Sequence, residues 1–314
     1  MNTHPTAIII IGHGTRDPRG VAQFLELVET IQARDPGHRY YPAFLELAEP
    51  EIEDALALAA ADGHRNVLCQ PALLLAAGHA KNDLPAMIRH AAGHHPDLTV
   101  TYGMPIELTA ELVKLCAEHV AEALTGLDPA RCTLVVAGRG TSDPDANANV
   151  AKLARLLEEG LGFGESAVAY FSTARPRLPD GLARVAGRAD GPVVVFPFIL
   201  FSGMLDKTMD AELSRAQEAF PAVEFRRTAP FGSMAGFAEA FLQRIEWSME
   251  PGGAQPCLLC KFRAAMPGRE SEVGKAQPEG HHHHHHHHGH GECSHGHGHD
   301  HHGHDHHHHH EHAH

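Results

Sequence analysis

Ala7-Ile8-Ile9-Ile10-Ile11-Gly12-His13-Gly14-Thr15-Arg16-Asp17-Pro18 is the stretch from which the fold is read. Its five leading residues form a continuous apolar, largely β-branched run, as in a strand buried on both faces. Gly12 ends the run, and a helical pattern follows from about Arg19 to Ala33. A strand covered on both faces belongs to a parallel sheet flanked by helices. The run is too short for a membrane span and lacks the basic flank of a signal peptide, so a reducing cytoplasm is expected. Disulfides are not expected there.

The alternation continues down the chain. Strands are expected at Arg39–Phe44, Asn66–Leu75 and Leu98–Tyr102, with helices at about Pro50–Ala61, Asp83–Ala92 and Glu107–Leu124. Pro50 suits a first helical turn, where its missing N–H would be unpaired anyway. Further strands are expected at Thr133–Ala137, Ala167–Phe171, Pro192–Phe198 and Val223–Arg227. Helices at about Asp145–Glu159, Pro176–Arg188, Asp206–Phe220 and Met234–Met249 complete the series.

The second series repeats the first. Ile11-Gly12-His13-Gly14-Thr15-Arg16-Asp17-Pro18 matches Ala137-Gly138-Arg139-Gly140-Thr141-Ser142-Asp143-Pro144 at an offset of 126 residues. The same offset pairs Phe44-Leu45-Glu46 with Tyr170-Phe171-Ser172, and one residue less pairs Ala77-Gly78-His79 with Ser202-Gly203-Met204. The expected fold is therefore α/β: two similar, doubly wound lobes with parallel sheets, one a duplicate of the other. Residues 1–126 form the first lobe, 127–250 a degenerate second lobe, 251–280 a linker with a CxxC, and 281–314 a histidine-rich tail.

In doubly wound sheets, ligands bind beyond the carboxyl ends of the strands. His13, Glu46 and His79 follow the first, second and third strands, placing two imidazoles and a carboxylate at one rim. That donor set suits divalent cobalt, nickel, iron or zinc, and neutral imidazole also accepts protons near neutral pH. The second copy has Arg139, Ser172 and Met204 at the matching places, so one working site is expected. The glycines of Gly12-His13-Gly14-Thr15 and Gly138-Arg139-Gly140-Thr141 would let backbone N–H groups approach an anionic ligand. Arg16, Lys81 and Arg139 add positive charge near that rim.

The formal net charge of −14 and the absence of any Lys/Arg-rich run argue against nucleic acid as a partner. Residues 281–314 hold 22 of the 31 histidines and no large apolar residue. Such a tail cannot bury a core, is expected to stay disordered, and has a metal-binding composition. Cys69, Cys116 and Cys132 lie in apolar stretches and read as buried thiols. Cys257 and Cys260 form one CxxC, a spacing that suits zinc or an iron–sulfur cluster. A cluster needs four ligands, so Cys293 or a second subunit of a homodimer would have to complete it.

At these motifs the chain resembles the class II tetrapyrrole metal chelatases, in particular long-form sirohydrochlorin cobaltochelatase of the CbiX/SirB-like type. The resemblance covers residues 6 to about 265. It rests on Gly12-His13-Gly14-Thr15-Arg16, Phe44-Leu45-Glu46 with Pro50, and Leu75-Ala76-Ala77-Gly78-His79 followed by Asn82-Asp83. Pro197-Phe198-Ile199-Leu200-Phe201-Ser202-Gly203 is the counterpart in the second half. It implies a tetrapyrrole between two lobes, His13 and His79 as catalytic and metal-binding residues, and Glu46 beside the metal. Its long-form members carry a similar cysteine pair associated with an iron–sulfur centre, which leaves a cluster, zinc or reduced thiols as the readings here. The substrates are then sirohydrochlorin and a divalent ion, Co2+ by resemblance, with Gly12, Gly14, Thr15, Arg16, Gly78, Lys81, Arg139 and Gly203 around the macrocycle. His13, Glu46 and His79 do not discriminate cobalt from iron, for sirohaem, or from nickel. A metal-storage or metallochaperone protein is the reading of a different class; it rests on the tail alone and leaves the rim unexplained. Membrane partners are not expected.

Overall fold

The computed structural model describes residues 7–250, 252–255 and 271. The duplicated α/β architecture is present. In the first lobe, β1 (Ala7–Gly12), β2 (Arg39–Phe44), β3 (Asn66–Pro71) and β4 (Thr99–Gly103) form a parallel sheet in the order β2-β1-β3-β4. The connecting helices are α1 (Pro18–Arg34), α2 (Ile52–Ala61) and α3 (Leu84–Gly93), and α4 (Ala110–Ala123) leads out. The second lobe repeats this with β5 (Thr133–Gly138), β6 (Glu165–Tyr170), β7 (Val193–Pro197) and β8 (Phe225–Arg227), in the order β6-β5-β7-β8. Its helices are α5 (Pro144–Leu161), α6 (Leu178–Ala186), α7 (Met204–Ala219) and α8 (Ala235–Met249).

The residue alternation of β1 explains the layering. Ile8 and Ile10 face a core shared with Leu134 and Val136 of β5, while Ile9 and Ile11 face α2 and α3. All four isoleucines are fully buried, each gaining roughly 1.5–3 kcal/mol from leaving water. The shared core also holds Phe24 of α1, Leu112 of α4, Leu153 of α5 and Phe237 of α8. The lobes exchange their last helices: α8 lies against β3 and β4, and α4 against β7.

The repeated Thr-x-Asp-Pro starts both lead helices by the same chemistry. The Asp17 carboxylate accepts from the N–H of Arg19 at 3.0 Å, the Asp143 carboxylate accepts from that of Asp145 at 3.1 Å, and a proline follows each. These caps satisfy donors that a helix start leaves unpaired.

Four expectations change. Pro50 is not in a helical turn: its peptide bond with Glu49 is cis, and α2 begins at Ile52 after Glu51. β3 stops at Pro71 rather than Leu75. Leu73 and Leu74 accept instead from the N–H groups of Ile106 and Glu107 in a loop-to-loop contact, so an apolar run without a ladder had read as strand. α4 begins at Ala110 because Thr109 caps it through the N–H of Leu112, leaving Glu107 in a loop. A two-residue strand, β9 (Ala254–Gln255), pairs antiparallel with β4; two residues are too few for a periodic signal. Among the described residues no helix is long and apolar enough to cross a membrane.

Candidate metal and macrocycle site

The loop after β1 is zipped to the loop after β2. The carbonyl of Gly12 accepts from the Leu45 N–H at 2.8 Å, and that of His13 from the Glu46 N–H at 3.1 Å. Gly14 has φ +90, and a Cβ there would sit 1.7 Å from the Glu46 carbonyl oxygen. The site therefore needs glycine at position 14 so that two loop backbones can touch. Gly12 packs on Phe24 and Gly14 on Glu46, so loop packing already calls for both glycines. The second lobe preserves the construction around Gly138, Arg139, Gly140 and Ser172.

That backbone contact puts the two side chains together. Nε2 of His13 lies 3.6 Å from Oε1 of Glu46. The His79 ring stands edge-on to His13, with centroids 5.1 Å apart and planes at 83°. His79 is not immediately past a strand end. It opens a short π-helix, His79–Asp83, that runs into α3. A π-helical turn is a frequent device at functional sites. Its 79-to-83 spacing brings Asp83 Oδ2 to 2.7 Å from Nδ1 of His79. The carboxylate fixes that nitrogen as donor, so that Nε2 is the ring nitrogen with a lone pair to offer a metal.

His13 is arranged in the same sense. Its Nδ1 donates to the Gly14 carbonyl at 3.2 Å, and its buried Nε2 has no hydrogen-bond partner. Burial, the nearby Arg139 and then His79 lower its pKa to about 4, against the opposing pull of the Gly14 carbonyl and Glu46. The ring is thus neutral at ordinary pH, with a lone pair facing a carboxylate and a second imidazole. An unpaired buried nitrogen is costly and calls for a partner. Two imidazole nitrogens and a carboxylate oxygen supply three of the donors that a first-row divalent ion takes.

The other expected residues divide. Arg139 lies at the end of β5, exposed, yet close enough to act electrostatically on His13 and Glu46; its own pKa is lowered by displaced water, with Glu46 opposing. Arg16 is exposed beside the rim. Thr15 and Gly203 adjoin across the lobes: a Cβ on Gly203 would be 3.3 Å from Thr15 Oγ1. A Cβ on Gly78 would meet nothing within 4 Å. Lys81 departs from expectation. Its ammonium, largely buried, is committed to Asp143 at 2.6 Å and Asp145 at 3.2 Å, so it joins the lobes instead of facing a ligand.

Two residues escaped the sequence reading. Asp83 has a signal in its spacing from His79. Glu107, half-buried and at φ +58, accepts from the Ala76 N–H at 2.7 Å and so anchors the loop leading to His79. Burial raises its pKa, against the pull of that N–H. Cys69, Cys116 and Cys132 are buried free thiols, and burial raises the pKa of each. Cys257, Cys260, Cys293 and the histidine-rich tail lie outside the described residues.

The CbiX family model matches residues 7–123 and again 133–248. Sirohydrochlorin cobaltochelatase of Priestia megaterium is 31% identical over 260 residues, which cover 82% of this chain and 84% of the relative. Sirohydrochlorin ferrochelatase of Bacillus subtilis is 28% identical over 239 residues, 76% of this chain and 90% of the relative. The solved structure of SirB from Bacillus subtilis with Fe3+ superimposes with a TM-score of 0.68 at 28% identity, covering 77% of this chain and 94% of that one.

Proposed function

The chain belongs to the CbiX family, and on that premise we propose that it inserts Co2+ into sirohydrochlorin at His13, Glu46 and His79. The activity class is the one its similar relatives share, metal insertion by a lyase. Cobalt is the finer step. It is favoured by the higher identity of the Priestia megaterium cobaltochelatase, 31% against 28% for the Bacillus subtilis ferrochelatase, and by the larger share of this chain that it matches, 82% against 76%. Iron is the second reading, favoured by the SirB structure with Fe3+.

The observation that carries the assignment is the unpaired Nε2 of His13, facing Glu46 and beside His79. In the reaction an aquated divalent ion replaces two pyrrole N–H protons. The metal loses water, the macrocycle loses two protons, and the net charge is conserved. His13 and His79 hold the incoming ion and replace part of its water shell. Glu46 takes the two pyrrole protons in turn and passes each to solvent as the ion descends. Arg16 and Arg139 pair with the macrocycle's carboxylates. Gly12 and Gly14 shape the loop that presents His13, while Thr15, Gly78 and Gly203 line the approach between the lobes. Lys81 holds the lobes together. The cysteine pair would hold an iron–sulfur cluster only with ligands from Cys293 or a second subunit, and no step above uses it.

The test is a competition assay on the purified chain, with Co2+, Fe2+ and Ni2+ offered anaerobically together and the pigment product identified by its spectrum. Predominant cobalt product is expected. Predominant iron product moves the assignment to the sirohaem branch. An unchanged pigment spectrum with every metal overturns the chelatase reading and leaves metal storage.

A further inference from the structure

A second group of metal-ligating side chains lies away from the rim, on the outer helices of the first lobe. His90 and His94 are four residues apart at the end of α3, and Glu53 is in the first turn of α2. All three are exposed. Residues at i and i+4 share one helix face. The two rings accordingly meet with centroids 5.0 Å apart and planes at 73°. Oε1 of Glu53 lies 2.8 Å from Nδ1 of His94. One ligand atom from each of the three side chains falls within 4.8 Å of the others.

A hydrogen bond accounts for the approach of His94 and Glu53. It does not account for a second imidazole held beside them. Two imidazoles a helical turn apart present lone pairs to one point, and a carboxylate from a neighbouring helix adds charge. Such an N2O set selects cobalt, nickel, copper or zinc over magnesium and calcium, which prefer oxygen alone. It is also the donor set of the rim: two histidines and a glutamate.

We propose that Glu53, His90 and His94 form a second, solvent-facing site for one divalent transition-metal ion. Water completes its coordination. Exposure of all three side chains makes it a site of rapid, reversible capture. The bound ion ties α2 to α3, the two helices that follow Glu46 and His79 along the chain. The side chains reach bonding distance by rotamer adjustments that cost little at an exposed surface.

The chain has 31 histidines, so the test must be residue-resolved. Histidine acylation by diethyl pyrocarbonate, read by peptide mass spectrometry on the full chain with and without Co2+ in excess of the tail histidines, meets that need. Acylation of His90 and His94 should fall together, by about tenfold when free cobalt is ten times the dissociation constant. Neighbouring His95 should stay reactive. His94→Ala should restore reactivity at His90, and Glu53→Gln should shift protection of both to higher cobalt. Two results overturn the site: His90 and His94 remaining reactive at cobalt concentrations that protect His13 and His79, or undiminished protection of His90 in His94→Ala.

Discussion

Lys81 of the first lobe and Asp143 of the second meet at 2.6 Å, with side chains only 8% and 0% exposed. Asp143 is also the carboxylate that caps α5. The relation is reciprocated less tightly: Lys207 of α7 lies 2.9 Å from Asp17, the cap of α1, but its side chain is 60% exposed. Each lobe thus places a lysine on the first helix cap of the other.

Removing one partner of a buried pair strands the other charge, which costs about 3 kcal/mol or more. Lys81→Met should therefore lower the urea midpoint strongly without changing the slope. Lys207→Met, whose 60% exposed side chain is screened by water and whose loss leaves Asp17 its pair with Arg19, should lower it much less. Equal losses would show that burial does not set the strength of the two contacts.

Asp83 should act through His79. Asp83→Asn keeps the side-chain shape but weakens the acceptor that fixes Nδ1. Loss of such a carboxylate partner costs about 10–100-fold in metal affinity or activity. The expected result is that loss with an unchanged melting temperature, and cobalt affinity and insertion rate on one preparation check it.

His13 should stay neutral well below the usual histidine range, down to about pH 4. Its folded pKa lies below the unfolded value, so protons favour the unfolded chain. Stability should decline as pH falls from about 6.5, the unperturbed value, and level off below the folded pKa. Arg139→Met removes a cation that depresses the ring and should raise its pKa. NMR of histidine ring protons in metal-free protein, with His13→Gln identifying the resonance, measures both. Titration of His13 near 6.5 in the wild type would remove the electrostatic basis of the site.

Much of the fold was legible because its signals are local and repeated. The isoleucines of β1 announce a doubly buried strand, and Thr-x-Asp-Pro announces a capped helix twice. His13 and Glu46 follow directly, since each sits just past a strand. His79 lies beside His13, but at the head of a π-helix rather than just past a strand. Leu73–Leu75 is apolar for packing rather than pairing, which hid the end of β3 and the π-helix beyond it. Lys81 was misjudged because its partners are 62 and 64 residues away in the other lobe. Glu107 read as the start of a helix because the Thr109 cap weighs less in periodicity than the acidic residue before it. Glu53, His90 and His94 come together only through the packing of α2 on α3.

Deleting residues 281–314 should leave the insertion rate unchanged at saturating cobalt and reduce it when cobalt is scarce. A metal-binding segment tethered to the enzyme raises the local ion concentration. The benefit should fade below about pH 6.5, where free imidazoles take protons. Initial rate against free cobalt for both chains at pH 8 and pH 6 decides it. Faster insertion by the truncated chain at low metal would mean that the tail competes for the ion, and superimposable curves would mean that it delivers none.

The central claim is that one lobe alone carries the insertion site. The direct measurement is the pre-steady-state change in the sirohydrochlorin spectrum on adding Co2+, compared for the wild type, His79→Ala, Glu46→Ala, Met204→Ala and Ser172→Ala. Loss of one positioned proton acceptor typically costs about a hundredfold or more. The account predicts losses of that order for His79→Ala and Glu46→Ala and near wild-type rates for Met204→Ala and Ser172→Ala. Equal losses in both halves, or retention of more than about a tenth of the rate in His79→Ala, would contradict it.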